Sequence, residues 1–305
     1  MAHVGRRNQI GITIDTDAII EHQIPFLDCT LQERHTPIGD IQAKGRRDAE
    51  GGQSVVGKQW GDGKIDVVLD PTTAPYWFAM ALGAIDSTTP KTHVITQEVL
   101  NAPLTAIIKR ARNVGTDLKF LNSVVDSLEL NFADDVAKLS VNLMSKFPTT
   151  DTFSPAEETA LKYFTFRNAT VATGAGTIKV KELTLRIENN AEMIYAPGSN
   201  DVDRILWKSF KVSGNFKLLF ETETQKDAFA NTLTKQSMTI TFTGAAPVSS
   251  IVITIPQFRV DNWTEEASID DLAQEGIDFV AEYLTDKTIG VTVINSVDEY
   301  QTPES

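Results

Sequence analysis

Three residues near the N-terminus, His22, Cys29 and His35, have side chains of the kinds that bind zinc. Six residues separate the first pair and five separate the second. Compact zinc sites combine four ligands in two close pairs, such as Cys-x2–4-Cys with His-x3–5-His, and three ligands in the order His, Cys, His do not fit that pattern. Because Cys29 is the only cysteine of the chain, we expect no metal site and no intrachain disulfide. The spacing favours a structural role for all three, with Cys29 as a small core residue.

Motifs for catalysis or nucleotide binding are also missing. The glycine-rich stretch Lys44–Gly63 contains neither the GxGxxG fingerprint nor the GxxxxGK[ST] phosphate loop. The sequence has no GxSxG and no HExxH, and the acids of Thr264–Glu275 lack the DxDxDG spacing of a calcium loop. We therefore predict that the protein is not an enzyme and needs no cofactor, and that these acids form a solvated face.

The charge of the chain is unevenly distributed. The 305 residues carry a net charge of -13. From Asp261 onward, 12 acidic residues stand against one base, Lys287. Tight, sequence-independent DNA binding requires cations that neutralise phosphates, so this composition disfavours it. No apolar run approaches the roughly 20 residues of a membrane span, and the N-terminus lacks the features of a secretory signal. These patterns predict a protein without a membrane anchor, made and acting in cytoplasm-like conditions.

The order of predicted elements occurs twice. The second series is clearer: strand Val180–Glu188, a polar loop over Asn189–Ser209, strand Phe210–Glu221 and helix Thr224–Leu233. The first series is a short strand Gly39–Ala43, the loop Lys44–Gly63, strand Lys64–Asp70 and helix Thr72–Leu82. The two helices align at an offset of 151 residues, with Phe229 on Phe78 and Leu233 on Leu82. Such a repeat predicts two tandem domains.

The remaining pattern predicts more strands and a linker between the domains. A segment rich in Pro, Thr and Ser, residues 148–158, is typical of a domain linker. We therefore assign one domain to residues 1–147 and one to 159–305. Thr264–Glu275 is either a helix or a loop with one helical turn. Strands are predicted at Gln9–Asp15, His93–Leu100, Pro103–Arg112, Leu118–Val125, Ser127–Phe132, Lys138–Lys146, Ser237–Thr243, Ser250–Asp261, Ile277–Leu284 and Thr288–Ile294.

Four stretches, in order, resemble the major tail tube proteins of long-tailed, siphovirus-like bacteriophages. The first is the glycine-rich arm followed by PTTAPYWFAMALGA, and the second is NSVVDSLELNFADDVAKLSVNLMSK. The third is VKELTLRIENNAEMIYAPGS followed by FKVSGNFKLLFE, and the fourth is IDFVAEYL with TIGVTVINS. The acidic segment Thr264–Glu275 departs from the family pattern. The resemblance implies a mainly β fold of two tandem tube-type antiparallel barrels or sandwiches, each with a short flanking helix and a long loop arm.

The same resemblance implies function and partners. Subunits of such proteins form rings that stack into the tail tube, the conduit for DNA ejection, so we expect a structural virion protein assembled in the host cytoplasm. Two tube-like halves per chain favour a trimeric, pseudo-hexameric ring over a hexamer of chains. The implied partners are further copies of the chain, the tape measure protein, the tail terminator and distal tail proteins. Double-stranded DNA is expected to pass through without specific binding.

The implied sites fall into two groups. Arms that contact the next ring would use Arg46, Arg47, Trp60 and Tyr195. A net negative lumen would be lined by polar members of alternating strands, with the candidates Glu129, Asn131, Ser140, Asn142, Asp261, Asp278 and Glu282. Two alternatives remain open at this point: another virion or injection-machine component, such as a connector, terminator or sheath, and an adhesive or carbohydrate-binding β-sandwich.

Overall fold

The computed structural model describes residues 8–14, 22–38, 55–98, 103–112, 115–133, 136–153, 163–174, 176–219, 223–230, 235–244, 249–266, 273–298 and 300. Nineteen of the strands in these residues form one hydrogen-bonded network of antiparallel pairs, and two more form a separate hairpin. The predicted mainly β class is confirmed. The described strands pack as a sandwich and do not close into a barrel. No helix of the described part is long and apolar enough to cross a bilayer.

Strands and helices follow one another in this order. The first half contains β1 (Gln9–Thr13), β2 (His22–Ile24), β3 (Asp28–Cys29), β4 (Gln32–Ile38), β5 (Val55–Val68), α1 (Ala74–Leu82), β6 (Gly83–Thr89), β7 (Thr92–Gln97), β8 (Ala106–Ala111), β9 (Leu118–Phe132), β10 (Lys138–Ser145) and β11 (Thr149–Thr150). The second half contains a 3-10 turn (Phe166–Asn168), β12 (Ala169–Thr173), β13 (Gly176–Ile178), β14 (Val180–Glu188), β15 (Glu192–Tyr195), β16 (Val202–Leu206), β17 (Lys211–Leu219), α2 (Thr224–Ala230), β18 (Gln236–Thr243), β19 (Ser250–Glu266), β20 (Gln274–Ala281) and β21 (Gly290–Ile294).

One large sheet, here called the main sheet, runs through both halves. Its first four strands lie in the order β4, β5, β10, β9, and its last four in the order β14, β17, β20, β19. The two sets are joined where Ser127–Phe132 of β9 pairs with Leu183–Glu188 of β14. We call this pairing the cis junction. It makes a single eight-stranded surface from the two halves.

The four-strand order repeats with the same register. Asn142 of β10 lies opposite Lys64 of β5, and Asp278 of β20 lies opposite Asn215 of β17. Lys64 and Asn215 are 215 − 64 = 151 residues apart, the offset at which the two helices align in sequence. The division into domains at 1–147 and 159–305 stays a prediction. The repeated register is the structural observation that supports it.

A second layer packs on the apolar side of the main sheet. The long strand β19 contributes to both layers, because its first residues pair with β18 and β21 and its last with β20. On this second layer, β12 and β13 follow β18, while β7 and β6 follow β21. Rings of Phe132 and Phe242 meet edge to face at 5.4 Å between centroids, joining the layers. The predicted linker starts as β11, which pairs with β9 and leads to the buried Phe153; residues 154–158 lie outside the described part.

Helix α1 is buried along its whole length, as the apolar run predicts. Asp70 precedes the helix, and its Oδ1 accepts hydrogen bonds from the backbone N–H groups of Thr72 and Thr73 at 2.8 and 2.9 Å. At the other end Gly83 adopts φ 102°, the left-handed conformation that ends helices. A Cβ there would also collide with Glu98. The second predicted helix is present as α2, and Leu233 lies outside the described residues.

Two sequence predictions are wrong in detail. Leu118–Val125 and Ser127–Phe132 are one strand, β9, because the bulge at Asp126, between the two predicted strands, interrupts the alternation without ending the strand. The loop predicted at Lys44–Gly63 is strand from Val55, paired with β4, which the sequence pattern missed; Gly39–Ala43 lies outside the described residues. At the ends of Thr264–Glu275, Thr264–Glu266 belong to β19 and Gln274–Glu275 to β20; residues 267–272 lie outside the described part, so the predicted helix or helical turn stays a prediction.

The buried helix gives the first testable prediction. Changing Phe78, which is fully buried, to Ala leaves a cavity under the main sheet, and we expect a loss of about 3–5 kcal/mol in the free energy of unfolding. Denaturant unfolding of the unassembled chain measures it. Tyr163→Ala, at a half-exposed ring, is the control and should change stability by no more than about 0.5 kcal/mol. Equal effects of the two changes would show that α1 is not a core element.

Candidate functional site: the polar face and the free sheet edges

The main sheet has one apolar side, against the second layer, and one polar side. We call the polar side the polar face. Its acids and bases occur in similar numbers on neighbouring strands. The acids are Asp62, Asp66, Glu129, Glu182, Glu188, Asp278 and Glu282, and the bases are Arg34, Lys64, Lys138, Arg186, Lys211, Lys217 and Arg259.

The structure places the predicted lining residues together on this face. Asn131 lies beside Thr184 of β14, with Nδ2 to Oγ1 at 3.2 Å. Ser140 donates to Asp66 at 2.7 Å. Asn142 donates to Ser127 at 2.8 Å. The candidates from both halves therefore share one surface; they are Glu129, Asn131, Ser140, Asn142, Asp278 and Glu282, with Asp261 in a bulge at the edge of the face.

Ion pairs join many charges of the polar face. Arg186 reaches Glu129 across the cis junction at 3.4 Å. Glu282 accepts from Lys235 at 2.9 Å and lies 3.5 Å from Arg259. The Lys235 ammonium and the Gln257 amide lower the pKa of Glu282 below the usual value for a glutamate. Further pairs are Arg34–Asp62, Lys64–Asp66 and Lys217–Glu182. Sequence reasoning selected the acids and missed the bases opposite them, because strand register decides which charges meet.

The cis junction is fixed by one buried amide and one bulge. Asn189 follows β14 and is buried; its Nδ2 donates to the carbonyls of Ala81 and Val125 at 3.0 Å each. Its backbone N–H donates to the carbonyl of Asp126 at 2.8 Å. Asp126 is the extra residue of a bulge in β9, and its carboxylate accepts from the N–H of Ala191 at 2.8 Å.

The main sheet has two free edges. Within the described residues, no strand pairs with the outer side of β4 or with the outer side of the last residues of β19. The second edge carries the exposed acids Asp261, Glu265 and Glu266. The first carries Arg34, and Arg112 lies beside it, 3.2 Å from Glu33. Exposed backbone edges of this kind pair readily with another strand.

The bulge of β9 has a counterpart at the free edge of β19. Ser127 lies opposite Asn142, and Asn262 lies opposite Asp278. The residue before each is the extra residue of a bulge, and in both cases it is an aspartate, Asp126 or Asp261. Asp126 is engaged within the chain, whereas Asp261 is exposed, 3.3 Å from Arg259. Sequence reasoning selected Asp261 for its charge and missed Asp126, since a bulge leaves no clear signal in the alternation.

The predicted arm residues do not form one exposed set. Arg46 and Arg47 lie outside the described residues. Trp60 and Tyr195 pack into a single small core with Val124 and Trp207. The polar loop predicted over Asn189–Ser209 contains the β15–β16 hairpin, which forms the second arm and in which Val202, Ile205 and the following Trp207 are buried.

The two arms touch each other within the chain. The N–H of Gln59 donates to the carbonyl of Asn200 at 2.8 Å, and Lys58 Nζ lies 4.5 Å above the ring of Tyr195. The side chain of Asn200 donates to the carbonyl of Val56 at 3.2 Å. The second arm is thus held on the first half of the same chain.

Glu275 is a buried carboxylate next to the free edge of β19. Trp263 Nε1 donates to it at 2.8 Å, and Glu265 lies directly opposite on β19. Burial raises the pKa of Glu275 above the ordinary glutamate value; the bond from Trp263 lowers it in part, and Glu265 raises it further. Like charges on directly opposed residues destabilise a sheet. Glu275 is therefore an exception to the predicted solvated face, while Asp270 and Asp271 lie outside the described residues.

His22, Cys29 and His35 are separate in the fold. The His22 ring packs near Tyr76, with centroids 5.3 Å apart. Cys29 is half-buried against the main core, and burial raises the pKa of its thiol. His35 is exposed on β4. Within the described residues, no group of three potential metal ligands comes together.

Comparison with known proteins gives one family. Residues 43–290 match the family model described as phage tail tube protein. The matched region contains seven of the eight main-sheet strands, all except β4. No curated protein matches the chain.

The buried carboxylate yields a pH prediction. Because the pKa of Glu275 is raised in the fold, its protonated form is favoured there, and its contribution to stability is lost as pH rises from the unfolded-state pKa through the folded one. Glu275→Gln keeps an acceptor for Trp263 and removes the charge. We expect it to stabilise the unassembled chain at pH 7 and to lose this advantage near pH 4.

Glu282→Gln is the matched control, with the opposite sign. The pKa of Glu282 is lowered, so this change should destabilise the chain at pH 7, and the difference should shrink as pH falls. Thermal unfolding at several pH values measures both variants. A Glu275→Gln effect that does not vary with pH would contradict the assignment.

Proposed function

Because the chain belongs to the phage tail tube protein family, we propose that three copies close into a ring through the free edges of β4 and β19, with the polar face lining the lumen. The protein is a structural component of the virion tail. Stacked rings would form the conduit for DNA, assembled in the host cytoplasm with the tape measure protein, terminator and distal tail proteins. The observation that carries the proposal is the cis junction, which already joins two equivalent edges inside one chain.

The repeated register specifies how the free edges would meet. Glu188 and Arg34 correspond, because Glu188 lies opposite Lys211 and Arg34 opposite Trp60, and these partners are 151 residues apart. Glu188 lies opposite Ser127 in the cis junction. The same geometry between copies sets Arg34 of one copy opposite Asn262 of the next, antiparallel.

Charge supports this pairing. The β19 edge presents Asp261, Glu265 and Glu266, and the β4 edge presents Arg34 with Arg112 close by. In the cis register Glu33 falls opposite Trp263, so Arg112, which is bound to Glu33, would lie near Glu265. A cation there would relieve the repulsion between Glu265 and Glu275. Opposite-charge pairs across strands contribute roughly 0.2–1 kcal/mol each, and their placement selects the register.

The count of three combines the repeat with the six-unit ring that the resemblance to phage tail tube proteins implies. Each chain supplies two four-stranded units, so three copies supply the six units of a pseudo-hexameric ring. A closed ring leaves no open edge on the main sheet, whereas in the free chain the main sheet has two among the described residues; edge closure is a common way in which β proteins avoid uncontrolled association.

The polar face suits passage of DNA. Tight binding to phosphates depends on cations that are free to neutralise them. Several bases of the face are instead engaged by carboxylates, as in Arg186–Glu129 and Lys64–Asp66. We propose a lumen in which paired charges keep the surface hydrated and leave little adhesion. We therefore restrict the expected net negative lumen: the excess acids lie at the β19 edge, and the rest of the polar face carries acids and bases in similar numbers.

A disulfide trap tests ring closure and ring size. In a Cys29→Ala background, Arg34→Cys and Asn262→Cys should crosslink between copies under mild oxidation, because their side chains face each other in the proposed register. Non-reducing gels should show a ladder that ends at three chains. The matched control pairs Asn262→Cys with His35→Cys, whose side chain points to the other side of the sheet. Equal crosslinking of both pairs, or a ladder extending past three, would overturn the proposal.

The first arm supplies a separate test of stacking. Its flanking residues Ile38, Val55 and Val56 are exposed apolar side chains, and its sequence carries Arg46 and Arg47. We propose that this arm contacts the next ring. Deleting residues 46–53 should leave rings that form normally and stack into short tubes or none, as seen by negative-stain electron microscopy. Tubes of normal length from the deletion variant would contradict the role.

A further inference from the structure

His35 occupies the position on β4 that Asn189 occupies after β14. Arg34 and Glu188 correspond by their partners Trp60 and Lys211, and His35 and Asn189 are the next residues. Asn189 is the residue whose buried amide fixes the cis junction. His35 is exposed in the single chain. The equivalence therefore places the imidazole of His35, which carries an N–H donor, at the position on β4 that corresponds to the donor amide of Asn189.

The receiving site also has a counterpart. In the cis junction the amide of Asn189 donates to the carbonyl of Val125, the residue before the bulged Asp126. At the free edge the equivalent residue is Val260, directly before the bulged Asp261. Val125 and Val260 both pair across the bulge with core residues, Leu143 and Phe279. The Val125 carbonyl accepts from Asn189 at the cis junction, and the matching bulge is the reason to expect the Val260 carbonyl in the same orientation at the free edge.

We propose that His35 of a second copy forms a trans clasp, in which its imidazole N–H donates to the carbonyl of Val260 beside the Asp261 bulge. This inference rests on the proposed ring and names the contact that locks it. The clasp is the intermolecular version of the Asn189 contact. The same type of side-chain to carbonyl hydrogen bond would then hold the junction within each chain and the contact between neighbouring chains.

The two junctions differ in how the bulged aspartate is held. Ala191 donates its backbone N–H to the carboxylate of Asp126. The residue two positions after His35 is Pro37, which has no N–H to donate, and Asp261 instead lies 3.3 Å from Arg259 of its own chain. The trans clasp therefore rests on the side chain at position 35, where an imidazole and an amide can each donate an N–H to a carbonyl.

The test compares three variants at two neighbouring exposed residues, His35 and Thr36. Sedimentation of dilute protein measures the fraction in rings, after circular dichroism has shown that each variant is folded. His35→Ala should weaken ring formation about tenfold. It removes the hydrogen bond and leaves the carbonyl of Val260 buried without a donor, which costs more than the net gain from a typical hydrogen bond. His35→Asn should restore most of the loss, because Asn is the residue used in the cis junction. Thr36→Ala is the neighbouring control and should assemble like the unmodified chain.

The outcomes separate the clasp from the ring. Unchanged assembly of His35→Ala, or a loss that His35→Asn does not repair, would overturn the clasp while the cysteine pair at Arg34 and Asn262 still reports ring closure. Failure of that pair to crosslink, with no rings from the unmodified chain, would instead overturn the proposed ring itself. Loss in His35→Ala together with repair in His35→Asn supports the clasp.

Discussion

The structure depends on the requirement that backbone N–H and C=O groups at a sheet edge find partners. The outer strands of the two halves of the main sheet satisfy this requirement for each other at the cis junction, where β9 of the first half pairs with β14 of the second. Two equivalent edges, β4 and the last residues of β19, have no strand partner among the described residues. Chains of this kind must share edges with one another or leave them open. The family to which the chain belongs builds tubes, and sharing edges around a ring is the arrangement that satisfies all of them.

The cis junction shows which details give this pairing its register. A bulge in β9 interrupts the alternation at Asp126, and the bulged residue binds the start of the second arm. Asn189 then binds two carbonyls, one of them at the end of α1, so the helix, the bulge and the strand are tied together. A bulge of the same kind at Asp261 is exposed. The two bulges differ in what binds their aspartates: Asp126 accepts from the N–H of Ala191 in the second arm, whereas Asp261 lies at the exposed edge of β19 beside Arg259.

Much of this fold was predictable from the sequence. Alternating apolar residues located β14, β10, β17 and β18 well, because strands with one buried face repeat every two residues. The apolar run around Phe78 located α1. The pattern missed β4, since six of its seven residues are exposed and a two-stranded arm has no apolar period to detect. It divided β9 into two strands at Asp126, where a bulge interrupts the alternation of a continuous strand.

The candidate site was only partly predictable. Residue types identified the polar positions of single strands, and the structure brings these positions onto one face. Their partners depend on register between distant strands, which sequence does not reveal: Glu129 is bound to Arg186, 57 positions further along the chain (186 − 129). Tyr195 was expected to be free for another ring and instead packs against the first arm of its own chain.

The most direct measurement is an electron cryomicroscopy reconstruction of tubes assembled from the full chain. The account predicts three copies in each ring, β4 of one copy antiparallel to the end of β19 of the next, Arg34 opposite Asn262, and the face that carries Glu129 and Asp278 turned toward the lumen. A ring in which the β4 and β19 edges face solvent, or in which this polar face forms the outer surface of the tube, would contradict it.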